Sequence, residues 1–343
     1  MLIAYILAGF FATLVCVFGP VIGQRLKVMD SPDGHRKLHA APTPLVAGFA
    51  AMLPPIALLL VQAQISVWRP LYLAIALVCS FFVVLGYLDD RRHIRALLRL
   101  AISAVAVGVI VWMIPGLAVT VLSFSFDESV PPIILGPWVG LLFSVICLVG
   151  LQNAANMADG KNGLVIGISL IWTLLMFAYA PDHLHPLLIV LAITLAVSLA
   201  FNLSGKVFLG DAGTYGLSVI VGLIALYSYN VGFAAFPADA VALMFLIPVV
   251  DTLRLIVARG IKGRSPFSPD REHLHHILLS LVPWHWALTI YLALVGVPSL
   301  IARYNVEWTG GLAVATLTVY ALIVSQKYRT VGVPAAGSGP APS

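Results

Sequence analysis

The 343-residue chain is 61% hydrophobic and only 10% charged, with a mean hydropathy of +1.02. That excludes a soluble globular domain and indicates a polytopic membrane protein in a lipid bilayer. The formal charge of +5 fits basic loops on one membrane face and no nucleic-acid partner. Cys16, Cys79 and Cys147 all lie inside apolar runs, so neither a disulfide framework nor a cysteine metal site is on offer.

A membrane-spanning helix needs roughly 20 apolar residues. That length predicts eleven helices, over about 2–22, 45–65, 70–88, 97–115, 136–152, 163–180, 184–202, 213–229, 237–257, 286–302 and 308–325. They form an all-α fold, one transmembrane domain over 1–330, followed by a Pro-, Gly-, Ala- and Ser-rich tail (331–343) of disordered composition. The first run begins at Leu2 with no basic segment and no small-residue cleavage site, so it reads as a retained span. Of 19 Lys and Arg residues, all but Arg69 and Arg303 fall on alternate links or on the tail. This asymmetry predicts an outside N-terminus and a cytoplasmic C-terminus.

Five polar loops then share the cytoplasmic face: 23–44, 89–96, 153–162, 203–212 and 258–285. In the first, Arg36, Lys37 and His39 precede Pro42-Thr43-Pro44. The prolines favour an ordered turn, and the basic groups suit a phosphate or a lipid headgroup. The second opens with Asp89 and Asp90, followed by Arg91, Arg92 and His93. The acids are either solvated helix-end charges neutralised by Arg91 and Arg92, or reactive groups that justify their desolvation cost. If the helix continues through them, they face different ways. One then meets a ligand and the other leans toward a metal or a structural Arg.

The third loop sets Asn153, Asn156, Asp159, Lys161 and Asn162 among small residues, with Gly160 and Gly163 opening the next helix. Such a turn lets backbone N–H groups approach a phosphate; the bland alternative is a polar interhelical turn. Asn156 and Asp159, three apart, share a face of a helical turn. In the fourth, Asp211 sits between Gly210 and Gly213 at a helix entry. It reads either as a helix cap or as a hard ligand for Mg²⁺. The fifth carries Arg264, Arg271, His273, His275 and His276. His273 and His276 are i, i+3 neighbours expected to act together, with His275 pointing elsewhere. Lacking HExxH or a Cys partner, they suit a phosphate gripped by imidazoles and guanidinium forks better than zinc. Asp251 has Arg254 three residues on as an ion-pair partner.

Five stretches carry a resemblance: RKLHAAPTP at 36–44, GYLDD at 86–90, NAANMADGKNGL at 153–164, FLGDAG at 208–213 and SPFSPDREHLHH at 265–276. In this order and at these loops, the chain resembles the polyprenyl-phosphate N-acetylhexosamine-1-phosphate transferases, and most closely their WecA and TagO branch. The resemblance implies a bacterial cytoplasmic-membrane enzyme with its active site on the cytoplasmic face. The implied reaction joins a UDP-N-acetylhexosamine, usually UDP-N-acetylglucosamine, to undecaprenyl phosphate. It releases UMP with Mg²⁺ or Mn²⁺ as cofactor and starts cell-envelope glycan synthesis, as in O-antigen, lipopolysaccharide or teichoic acid pathways. A homodimer is compatible with it.

Carried over position by position, the resemblance makes Asp89, Asp90, Asp159 and Asp211 catalytic, with the pair Asp89 and Asp90 binding or deprotonating the lipid phosphate and Asp211 and Asp159 on the metal; of the pair, Asp90 is expected nearer the lipid phosphate. Lys37, His39, Asn153, Asn156, Asn162, Arg264, Arg271, His273, His275 and His276 become substrate-binding. The chain departs from the pattern at Asn162, where many relatives carry Asp, at Lys161, where many carry an apolar residue, and at Ala47, where a Gly-Gly pair is common. The rival reading is a transporter or channel for an anionic solute. Transporters place charges near the bilayer midplane, whereas no predicted span here has one near its centre.

Overall fold

The computed structural model describes residues 1–31, 41–125, 131–266, 268 and 271–331, with side chains through 326. The predicted first span is two helices, α1 (Leu2–Val17) and α2 (Gly19–Leu26), bent by 71°. The break falls where Gly19 and Pro20 open a new helix. Then follow α3 (Ala47–Ile65), α4 (Arg69–Arg92), α5 (Ala96–Met113), α6 (Gly136–Ala158), α7 (Leu164–Met176), α8 (His185–Leu203) and α9 (Gly210–Gly232). The chain continues with α10 (Ala238–Ile261), α11 (Leu274–Leu281), α12 (Trp284–Tyr304) and α13 (Thr309–Val331). Two-residue strands form two small hairpins, β1 (Met29–Asp30) with β2 (Thr43–Pro44), and β3 (Val121–Leu122) with β4 (Ile133–Ile134).

The protein is thus all-α and polytopic. Among the described residues nine helical segments are long and apolar enough to cross a membrane, and α1 with α2 makes a tenth when read as one bent span. The predicted sixth span, α7, has only 13 residues, about 20 Å at 1.5 Å per residue. Its helix stops at Met176, where Phe177–Ala180 turns toward Pro181. Helix α11, inside the longest predicted loop, is short and was not expected as an element of its own. The expected tail beyond Val331 lies outside the described residues.

Helix α9 is buried along its length and packs against α3, α4, α6 and α7. Glycine makes this possible at its first turn: a Cβ on Gly86 of α4 would stand 2.3 Å from the Asp211 carbonyl oxygen. The backbones of α4 and α9 therefore touch where the polar loops gather. Backbone bonds add to this, from Phe208 N to Pro44 O at 2.9 Å, Ala47 N to Phe208 O at 3.0 Å and Gly48 N to Leu209 O at 3.1 Å. The first and fourth loops are thereby stitched together. The outer helices expose apolar side chains, such as Leu97, Val105 and Trp112 on α5 and Trp138, Leu142 and Ile146 on α6, as a bilayer solvent requires.

Gly86→Ala should force α4 from α9 and cost about 1–3 kcal/mol, the usual penalty for overpacking. The check is the thermal midpoint of the detergent-solubilised protein, expected to fall for Gly86→Ala and to hold for Gly150→Ala, whose Cβ meets nothing within 4 Å.

Candidate active site

Helices α4 and α6 end, and α9 begins, at one end of the bundle. Helix α4 runs past its apolar stretch through both acids and stops at His93, which takes the left-handed conformation at φ 49°. Asp89 and Asp90 are consequently helical neighbours that face different partners. Asp89 is buried, 3% exposed. Its Oδ2 accepts from Arg99 Nη1 at 2.8 Å and from the Tyr215 hydroxyl at 2.6 Å, and its Oδ1 from Ile94 N at 2.7 Å. The neutralising cation is thus Arg99 of α5, and not Arg91 or Arg92; Arg91 donates instead to the Tyr87 hydroxyl at 3.0 Å. Arg99 also lies over the Tyr215 ring, 5.5 Å from its centroid.

Asp90 turns to α9. Its Oδ1 accepts from Asp211 N at 3.0 Å and its Oδ2 from Ala212 N at 3.3 Å. A side chain 121 residues away in sequence thereby satisfies two of the unpaired N–H groups at this helix start. Gly210, at φ +71°, makes the entry turn; a Cβ there would meet Asp90 Oδ2 at 2.8 Å. Asp211 is therefore in the first turn of α9, free of the capping duty that Asp90 performs. Its Oδ1 accepts from Asn156 Nδ2 at 2.7 Å.

Asp159, just past α6, accepts at Oδ2 from the Thr214 hydroxyl at 3.0 Å. Solvent reaches Asp159, yet the protein crowded around it pushes its carboxyl up to about 7. The Thr214 hydrogen bond opposes that rise and the Asp211 charge adds to it. The open water tempers the shift. Asp90, Asp159 and Asp211 thus come together from three elements around one helix turn. Asp211 Oδ2 and Asp159 Oδ1 have no protein partner among the described residues. No set of three or more His, Cys, Asp or Glu side chains among those residues makes a metal cage. Two carboxylates with spare oxygens nevertheless fit Mg²⁺, which takes one or two from protein and the rest from water and phosphate.

Asn153 and Asn156 lie on α6 rather than in a loop, and Asn153 Nδ2 bonds back to Val149 O at 2.8 Å. The Asn162 carbonyl accepts from Trp284 Nε1 at 3.0 Å. Asn202, singled out by nothing in the sequence, clamps this turn. Its Oδ1 takes Gly163 N at 2.6 Å and its Nδ2 gives to Val207 O at 2.9 Å. The fifth loop reaches the third through His275, 1% exposed. A Cβ on Gly160 would stand 2.3 Å from its Nε2. Both ring nitrogens are buried without a protein partner among the described residues, and burial beside His276 and His273 pushes the imidazole down to about 3.

His275 does not point away from its neighbours, as helical spacing suggests. Residue 273 precedes α11 rather than continuing it; the His275 ring stacks on His273, centroids 5.6 Å apart, and lies tilted against His276 at 4.2 Å. Asp251 makes the expected ion pair with Arg254 at 2.9 Å and also holds His273 Nδ1 at 3.0 Å. Arg264 and Arg271 are exposed. Lys37 and His39 lie outside the described residues.

The model of glycosyl transferase family 4 matches residues 72–229, from α4 to the end of α9. An undecaprenyl-phosphate alpha-N-acetylglucosaminyl 1-phosphate transferase of Yersinia pestis is 30% identical over 75% of this chain and 71% of its own. The chain belongs to glycosyl transferase family 4. A family member of the same description from Escherichia coli is 29% identical over 78% of this chain and 74% of its own. A decaprenyl-phosphate N-acetylglucosaminephosphotransferase of Mycolicibacterium smegmatis is 29% identical over 85% and 77%. The family match spans Asp89, Asp90, Asn156, Asp159 and Asp211 and ends before the histidines.

The two neighbouring acids should separate on mutation. Asp89→Asn leaves Arg99 buried without its partner and should cost about 3 kcal/mol. Asp90→Asn keeps one acceptor for the start of α9 and loses the other, so it should cost about 1 kcal/mol, less than Asp89→Asn. Thermal melts of both variants in one detergent check this.

Proposed function

We propose that this protein transfers N-acetylglucosamine-1-phosphate from UDP-N-acetylglucosamine to undecaprenyl phosphate, releasing UMP, at the cytoplasmic face of a bacterial cytoplasmic membrane. The observation that carries the reading is the convergence of Asp90, Asp159 and Asp211 on the first turn of α9, with the nearby Arg99 already committed to Asp89. The family members' names and the polyprenyl phosphates in them support it. A transporter is not favoured, because the acids crowd one end of the bundle and the relatives are transferases.

Asp211 and Asp159 would hold a magnesium or manganese ion, which would supply positive charge to the donor's diphosphate. Asn156 and Thr214 fix the rotamers of these two acids, so that one oxygen of each stays presented. The lipid phosphate attacks the sugar-linked phosphorus. A new oxygen–phosphorus bond forms as the bond to the bridging oxygen breaks, and UMP departs with that oxygen. Asp90, whose oxygens each accept a single backbone N–H and so keep a lone pair apiece, takes the remaining proton of the lipid phosphate, whose second pKa is about 6 by analogy with phosphorylated side chains. Asp89 acts by position: both of its oxygens are occupied, by Ile94 N, Arg99 and Tyr215. That occupancy supports direct transfer over a phosphorylated Asp89. His275, buried against Gly160, backs the donor side that the exposed Arg264 and Arg271 line.

Purified protein should release UMP only when UDP-N-acetylglucosamine, a polyprenyl phosphate and magnesium are all present. Release without the lipid, or none with any UDP-N-acetylhexosamine, contradicts the reading. The pH dependence has a definite sign. An Asp159 carboxyl raised above the usual carboxylate range takes up a proton as the pH falls, so protons compete with the cation on the acid side. The magnesium needed for half-maximal rate should rise as the pH falls below neutrality. Asp159→Asn should flatten that dependence, as magnesium titrations across about pH 6–8 would register.

A further inference from the structure

A second polar knot lies away from the carboxylate cluster, where α10, α11 and α13 pack together. At its centre Asp251, 3% exposed, accepts from Arg254 Nη2 at 2.9 Å, the Tyr320 hydroxyl at 2.9 Å and His273 Nδ1 at 3.0 Å. Leu274 N, the first backbone donor of α11, reaches both its oxygens at 3.2 and 3.1 Å. One carboxylate thus orients an imidazole and caps the helix that follows it. An ionised carboxylate only accepts, so the shared proton rests on His273 Nδ1. Nε2 has no hydrogen-bond partner among the described residues.

Tyr320 closes the knot from the last helix. Its hydroxyl accepts from Arg254 Nε at 2.6 Å and donates to Asp251 Oδ1. Arg254 also donates to the Glu272 carbonyl, directly before His273. The neighbouring hydroxyls of α13 only bond back within their own helix, Thr316 to Leu312 O at 2.7 Å and Thr318 to Val314 O at 2.8 Å. Tyr320 alone among these three reaches across to another element. Burying a hydroxyl in an apolar helix is costly unless it is bonded, and a Phe would fill the same space. What the hydroxyl adds is direction: it fixes one Asp251 oxygen while Arg254 holds the backbone before His273. The stacked His273 and His275 rings, inclined by only 9°, carry that orientation on to the ring that meets Gly160.

We propose that Tyr320 is a positioning residue for the sugar-nucleotide donor: through Asp251 it sets the rotation of His273 and the start of α11, and with them the histidine face that grips the donor's phosphates. This rests on the functional reading above. The lipid phosphate, placed at Asp90, lies outside its reach. The effect therefore separates the two substrates.

The test is steady-state UMP release by the full-length protein, wild type and Tyr320→Phe, with each substrate varied while the other saturates. The donor KM should rise about tenfold, the scale of losing an outer-sphere hydrogen bond, while the polyprenyl-phosphate KM and kcat stay within about twofold. Partial misfolding would lower kcat and leave both KM values alone, so the split reports on position and not on the active fraction. Thr316→Val, one turn earlier on α13, should leave both KM values at the wild-type level. An unchanged donor KM in Tyr320→Phe, an equal rise in both KM values, or an equal rise in Thr316→Val overturns the inference. A wild type that releases no UMP instead overturns the functional reading on which it stands.

Discussion

The structure depends on Asp90 reaching from the end of α4 to two backbone N–H groups of α9. A buried helix start without partners would leave several polar groups stranded in an apolar bundle. Asp90 satisfies two of them and, in doing so, fixes where α9 begins. Everything at the site follows from that point. Asp211 is left without a capping role, and Thr214, one turn on, meets Asp159. Gly86 lets the two backbones close to contact distance.

The neighbour of Asp90 shows the other use of an acid at a membrane boundary. Asp89 is buried, paired with Arg99 and bonded by Tyr215, and so costs the fold little while it keeps that cation from the three other acids. Were Arg99 free to pair with Asp211, the negative charge of the cluster would be partly cancelled. The division follows from consecutive residues on a helix pointing about 100° apart: one faces α5, the other α9. The same economy recurs at Asp251, where one carboxylate serves an arginine, a tyrosine, a histidine and a helix start.

Much of this was legible in the sequence, because a membrane protein writes its polar sites as interruptions of apolar runs. Asp89, Asp90, Asn156, Asp159, Asp211 and the three histidines all stand in such interruptions. The helical segments, too, lie where hydropathy places them. What was not legible is long-range pairing. Nothing local marks Arg99 as the partner of Asp89, or Asp90 as the cap of a helix 121 residues on. Tyr320 and Thr214 sit inside apolar helices and look like ordinary packing. Hydropathy ran short at α7 because composition measures apolarity, not where a helix stops. The turn at 159–163 was legible as polar, but its clamp, Asn202, was hidden at the end of an apolar run.

The central claim is that the acids on the α9 turn hold the cation on which transfer depends. Titration of the purified protein with Mn²⁺, followed by electron paramagnetic resonance, tests it without turnover. The account predicts saturable binding in the wild type that Asp211→Asn weakens by at least about tenfold, the loss expected from removing even an outer-sphere partner, while Asp182→Asn, on the link before α8, leaves it unchanged. Equal Mn²⁺ affinity in wild type and Asp211→Asn would contradict it.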